Sequence, residues 1–121
     1  MFPVAVAFLR RTGSLTSRFV VLIFSKSYCP YSLRAKSLLM QKYIITPAPY
    51  VVELDLHPLG SEMQDVLEKR TGRRTVPNVV VAGVSIGGCD EVEALEERGE
   101  LVKEIRAKGG ERVGRVLKVR N

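Results

Sequence analysis

An α/β fold follows from three stretches of the 121-residue chain. Residues 19–24, Phe-Val-Val-Leu-Ile-Phe, are a continuous run of β-branched and aromatic residues. The run is too short for a membrane span and suits a strand covered on both faces. Ser32 to Tyr43 places Ala35, Leu38, Leu39 and Tyr43 at helical spacing, with Arg34, Lys36 and Lys42 between them, as in an amphipathic helix packed on a sheet. Tyr50 to Leu56 reads as a second strand, and strand, helix and strand together predict a right-handed parallel crossover. At 45% hydrophobic composition one domain can bury a core without staples, and two cysteines are too few for a disulfide framework.

Chemistry concentrates where the first strand meets the helix. Pro30 follows Cys29 at a position where a proline has no helical amide to lose, which puts Cys29 at a helix N-terminus. The helix dipole and Lys26, three residues upstream, favour the charged thiol and lower its pKa below the free value of about 8.5. Taken alone, Cys29 reads more simply as a small buried hydrophobe and Lys26 as a strand-end charge. Leu33 lies off the apolar stripe and close to the cysteine, as surface contact area.

Further along, Pro47 and Pro49 close the connection into the second strand. His57, the only histidine, reads as a loop residue with no ligand partner at metal-site spacing. Pro58 and Gly60 mark a turn before a short helix from Ser61 to Arg70, with Met63, Val66 and Leu67 inward and Gly72 as its stop. Arg73 and Arg74 lead to Thr75-Val76-Pro77 and a strand from Asn78 to Ala82. Pro77 stands at the strand start, where a missing amide is tolerated. Gly83 turns the chain into Val84 to Ile86 as a hairpin. After Gly87-Gly88-Cys89, Asp90 is the expected N-cap of a helix, with Glu93 three residues on. Gly99 interrupts that helix, and Leu101, Val102 and Ile105 continue it.

The ends differ from the middle. Residues 1–52 carry seven Lys/Arg and no acid, residues 53–104 carry twelve acids against six bases, and the last 17 residues hold six bases against Glu111. The net charge of +6 therefore reads as solvated faces and basic ends, with membrane association left open. No nucleic-acid module is present and the bases are not interleaved with aromatics. Residues 1–18 fit a basic leader or an amphipathic first helix. Nine apolar residues cannot span a bilayer, and their charges lie on the wrong side for a signal peptide. From Gly109 onward, glycines and bases predict a tail with little to bury.

Four separated motifs occur in order on the elements that suit them: Lys26 with Cys29-Pro30-Tyr31-Ser32, Gln64, Thr75-Val76-Pro77, and Gly87-Gly88-Cys89-Asp90. Over residues 19–108 the chain resembles a glutaredoxin, and its Cys-Pro-Tyr-Ser motif is similar to that of secretory-pathway monothiol members. The resemblance implies a thioredoxin-like fold, a four-stranded mixed sheet flanked by helices, with residues 1–18 before the domain and a basic tail at 109–121. It implies glutathione as cosubstrate, glutathionylated proteins as partners, and Cys29 as nucleophile. Lys26 and Gln64 would meet the glycine carboxylate of glutathione. Tyr31 would shape the groove, and Val76, before a cis Pro77, would pair with the cysteinyl part. Gly88, Cys89 and Asp90 would hold the γ-glutamyl end, with Thr75 and Arg74 at the border and Pro30 and Ser32 supporting the thiol. Glycines permit close approach and a helix N-terminus welcomes a carboxylate.

One departure is informative, since Ser32 stands where this motif usually has a second cysteine. Cys29 cannot close a disulfide with a serine, which leaves a monothiol route for glutathione-dependent deglutathionylation in redox homeostasis. Cys89 reads as a small residue whose backbone matters rather than as a resolving thiol. The resemblance also carries a binding alternative, a [2Fe-2S] cluster between two copies, each giving its Cys29 and a glutathione thiol. A monomer is expected for the enzyme and a dimer for the cluster form. The cytoplasm or the secretory pathway is the expected compartment, ahead of the mitochondrion.

Overall fold

The computed structural model describes residues 19–120. The leader or first helix expected over 1–18 lies outside the described residues. Strand β1 (Val21–Ser25) is buried along its whole length, as its unbroken apolar run requires. Helix α1 (Pro30–Gln41) follows, then β2 (Tyr43–Ile45), β3 (Tyr50–Glu53), a single 3₁₀ turn (Leu54–Leu56) and α2 (Gly60–Thr71). The hairpin β4 (Asn78–Val81) and β5 (Val84–Gly87) leads to α3 (Cys89–Glu97), α4 (Leu101–Gly109) and β6 (Val116–Lys118).

The main sheet has the order β3-β1-β4-β5, with β1 parallel to β3 and antiparallel to β4. This is the expected four-stranded mixed sheet with a β1–α1–β3 parallel unit. Alternation along β1 sends Val21 and Ile23 to one face and Leu22 and Phe24 to the other. The first pair packs with Leu38 and Leu39 of α1, Val92 of α3, and Leu101 and Ile105 of α4. The second packs with Leu54 and with Met63 and Leu67 of α2. Each fully buried aliphatic of this kind contributes about 1.5–3 kcal/mol, so the two faces hold α1 and α2 firmly on opposite sides of the sheet. The β4–β5 turn is two residues long, with Ala82 at φ 48° and Gly83 at φ 84°, the paired positive angles that such a hairpin needs.

Several expectations are corrected. Tyr43 does not continue the α1 stripe but opens β2, where it is still buried. The second strand stops at Glu53, because the chain turns at Leu54 to bury that side chain beneath α2. Asp90 is not the N-cap of α3. Gly88 is, and Glu91 rather than Glu93 reaches back to accept the Gly88 N–H at 2.6 Å. The C-terminal residues are not loose. Val113 and Val116 enter the larger core, and β6 pairs antiparallel with β2 to form a second, two-stranded sheet. Lys118 holds Glu96 at 2.6 Å behind that ribbon. Among the described residues no helix is long and apolar enough to cross a membrane.

Candidate active site

Cys29 is the N-cap of α1, with extended backbone (φ −83°, ψ 121°), and Pro30 is the first helical residue. Its own N–H donates to the Lys26 carbonyl at 3.0 Å, closing a tight turn over Lys26–Cys29, and its carbonyl accepts the Leu33 N–H at 3.0 Å to begin the helix. The turn is held from both sides. The Lys26 N–H donates to Ser32 Oγ at 3.3 Å, and Ser32 is completely buried. Asp55, in the turn after β3, accepts the Ser27 N–H at 2.8 Å and the Ser27 hydroxyl.

Cys29 is half-buried. Burial alone would push its thiol up. The Ser32 hydroxyl, the Ser32 and Tyr31 amides at the helix start, and the Lys26 ammonium outweigh that cost and hold the thiol below its ordinary value. The result is a thiol that ionises readily at the start of α1. Cys89 is the opposite case. It is 4% exposed, and desolvation followed by repulsion from Glu93 pushes its thiol up, so it stays protonated.

A shallow groove of about 180 Å³ begins at Tyr31, two residues beyond Cys29, which is not itself among its lining residues. Tyr31 contributes one side, Thr75, Val76 and Pro77 another, and Gly88, Cys89 and Asp90 the end. Seven of the residues anticipated from the sequence are thus brought together in one concavity. The Val76–Pro77 peptide is cis. The strand behind it is fixed by Asn78, which is buried, donates to Thr71 Oγ1 at 3.1 Å and accepts the Ser85 hydroxyl at 2.8 Å. Gly88 has no room for a side chain, since a Cβ there would stand 3.0 Å from the Pro77 carbonyl oxygen and 2.9 Å from Arg73 Nη1.

Lys26 and Gln64, expected at the glycine carboxylate, and Arg74, expected at the border, are not among the residues that line the groove. Gln64 Nε2 donates to the Arg74 carbonyl at 2.8 Å, and Arg74 itself pairs with Asp65 and, at 3.5 Å, with Glu68 along α2. The arginine that does line the groove is Arg73, whose Nη2 meets Glu91 Oε1 at 3.0 Å and whose Nη1 donates to Thr75 Oγ1 at 3.3 Å. Sequence reasoning missed Arg73, Glu91 and Asp55 as site residues. Glu91 was legible in principle, three residues past Gly88, whereas nothing local distinguishes Arg73 from Arg74 or marks Asp55.

A glutaredoxin family model matches residues 21–86. The chain belongs to the glutaredoxin family. Its relatives include monothiol glutaredoxin-7 of Saccharomyces cerevisiae, 50% identical over 82 residues, which covers 68% of this glutaredoxin and 40% of the yeast protein. The chain thus spans less than half the length of that relative. A glutaredoxin of Ricinus communis is 47% identical over 95 residues, covering 78% of this chain and 89% of the castor-bean protein. Among solved structures, a buckwheat glutaredoxin–glutathione complex superposes with a TM-score of 0.75 at 32% identity, over 90% of this chain and 96% of that one. The holo form of glutaredoxin C1 from Populus tremula × tremuloides gives 0.72 at 42% identity, over 84% and 98%. The fold of this glutaredoxin is accordingly thioredoxin-like.

Proposed function

We propose that this glutaredoxin is a glutathione-dependent thiol–disulfide oxidoreductase that removes glutathione from mixed disulfides by a monothiol route. The observation that carries the reading is the pairing of Cys29, an easily ionised thiol at the start of α1, with a buried Ser32 in place of a second thiol. The buckwheat relative is named as a glutathione complex and the yeast relative as monothiol, and both support it.

In the first step the Cys29 thiolate attacks the glutathione sulfur of a protein mixed disulfide. A Cys29–glutathione disulfide forms, the S–S bond between the substrate protein and glutathione breaks, and the released protein thiolate takes a proton. In the second step a glutathione thiolate attacks the glutathione sulfur held on Cys29. Glutathione disulfide leaves and the Cys29 thiolate returns. Both are exchange steps that gain from a thiolate present at neutral pH and from its quality as a leaving group. Cys29 is the catalytic residue. Within the groove, the Val76 backbone would pair with the cysteinyl part, and Gly88, Cys89 and Asp90 would take the γ-glutamyl end at the α3 N-terminus. Lys26 would meet the glycine carboxylate, joined by the second amide hydrogen of Gln64.

The [2Fe-2S] alternative fits these residues only in part, since Cys29 is the single accessible thiol among the described residues and Cys89 is buried. Its other ligands would come from a second copy and from glutathione thiols. Such a cluster is an electron carrier, and colour with dimerisation after anaerobic reconstitution would mark it.

The deciding experiment is the steady-state rate of glutathione-dependent reduction of a small glutathionylated disulfide. The native protein turns over, Cys29→Ser is inactive, and Cys89→Ser stays active. A folded but inert native protein overturns the enzyme reading.

A further inference from the structure

The turn that aims Lys26 and Cys29 is thinly supported by packing. Its central residues Ser27 and Tyr28 are both exposed. From outside the turn, Asp55 reaches Ser27. One carboxylate oxygen accepts the Ser27 N–H at 2.8 Å and the other accepts the Ser27 hydroxyl, a two-point, charge-assisted clasp on a single residue. Asp55 itself stands on firm ground, in a turn whose first residue, Leu54, is buried in the smaller core. The clasp thus ties the turn that starts the active site to the face of the sheet that carries α2, while Ser32 ties the same turn to α1.

We propose that Asp55 is a positioning residue for the reaction, holding the Lys26–Cys29 turn so that the Lys26 ammonium faces both the Cys29 thiolate and the carboxylate of the bound glutathione. The proposal rests on the glutathione-dependent reading above for its second half, while its first half concerns Cys29 alone. Reacting groups held within a fraction of an ångström of their working geometry gain rate that a looser support forfeits. With the clasp gone, Ser27 loses both of its bonds to the Asp55 carboxylate, and Lys26 loses its fixed relation to the sulfur.

Charge and geometry make opposite predictions, which gives the test its sign. Removing the Asp55 charge alone would leave Lys26 a stronger influence on the thiolate and move the Cys29 ionisation midpoint down. Removing the tether moves it up. The experiment is the pH dependence of Cys29 alkylation by iodoacetamide in the full chain, on a Cys89→Ser background, together with KM and kcat for glutathione. Asp55→Ala is expected to move the alkylation midpoint up and to raise KM for glutathione about three- to tenfold, with kcat less affected. Asp55→Asn can still accept the Ser27 N–H and donate to its hydroxyl, so it is expected to recover most of the loss. Ser27→Ala keeps one of the two bonds and should fall between. If Asp55→Ala lowers the melting temperature but leaves midpoint and KM unmoved, Asp55 is only structural and the proposal is overturned. An Asp55→Asn as impaired as Asp55→Ala overturns it too. If Asp55→Ala does not fold, Ser27→Ala decides, and an unmoved midpoint there overturns it. Should the protein prove inert towards glutathione, the alkylation profile still reads the clasp, so the two failures are separable.

Discussion

Ser32 Oγ accepts the Lys26 amide at 3.3 Å, and the same buried hydroxyl is the strongest influence holding the Cys29 thiol below its ordinary value, so it acts on both the lysine and the cysteine of the site. The residue that replaces a second thiol therefore has a structural and an electrostatic part to play.

Ser32→Ala should raise the pH at which Cys29 ionises. The hydroxyl lowers the thiol's pKa by stabilising the charged sulfur, so its loss moves the thiolate form to higher pH. Alkylation at pH 6 to 7 slows in the variant and approaches the native rate in alkali, where both are thiolate. An unchanged alkylation profile would show that the helix start and Lys26 suffice.

Gly88→Ala should close the groove without touching the thiol. The new Cβ meets Arg73 Nη1 at 2.9 Å and the Pro77 carbonyl at 3.0 Å, and although an arginine tip can move, a backbone carbonyl in a strand lead-in cannot easily do so. KM for glutathione is expected to rise about tenfold while Cys29 alkylation stays near native. Equal loss in both assays would point to unfolding instead.

Gly60→Ala should destabilise the whole domain. A Cβ at this position would lie 1.8 Å from the Leu54 carbonyl oxygen, so α2 could not start where it does. The cost is expected to reach about 3 kcal/mol or more, read as a lowered urea midpoint. A variant as stable as the native protein would mean that the Leu54–Leu56 turn can move aside.

Val116→Ala tests the C-terminal ribbon. Val116 is 2% exposed and pairs with Ile45, so its truncation opens the larger core at its edge. About 1–2 kcal/mol of stability should be lost, measured by the same urea titration. Leu117→Ala, half-exposed on the outer face opposite Ile44, should cost little.

The main sheet was legible because its signals are local. An unbroken apolar run gave β1, a period of 3.6 gave α1, and Gly83 gave the hairpin. The groove was legible through motifs that each carry a chemical reason, a thiol at a helix start and two glycines at another. The ribbon was not. Val113 and Val116 are scattered among glycines and bases, and only pairing with Tyr43–Ile45, some seventy residues earlier, gives them a place to bury. Asp90 was misread as a cap because an acid at a helix start looks like one, whereas the bond was made by Glu91 to a residue with no side chain. Asp55 left no trace at all, since its partner Ser27 lies in a different strand's exit loop and only the fold brings the two together.

A serine at position 32 also decides what the protein can report. Under the monothiol reading the glutathionylated form exchanges one glutathione for one glutathione disulfide, with no internal ring competing for Cys29. At equilibrium, the fraction modified then follows the simple ratio of oxidised to reduced glutathione. A two-cysteine site closing its own disulfide would follow the square of the reduced concentration. Diluting the total pool at fixed ratio would leave the first unchanged and oxidise the second.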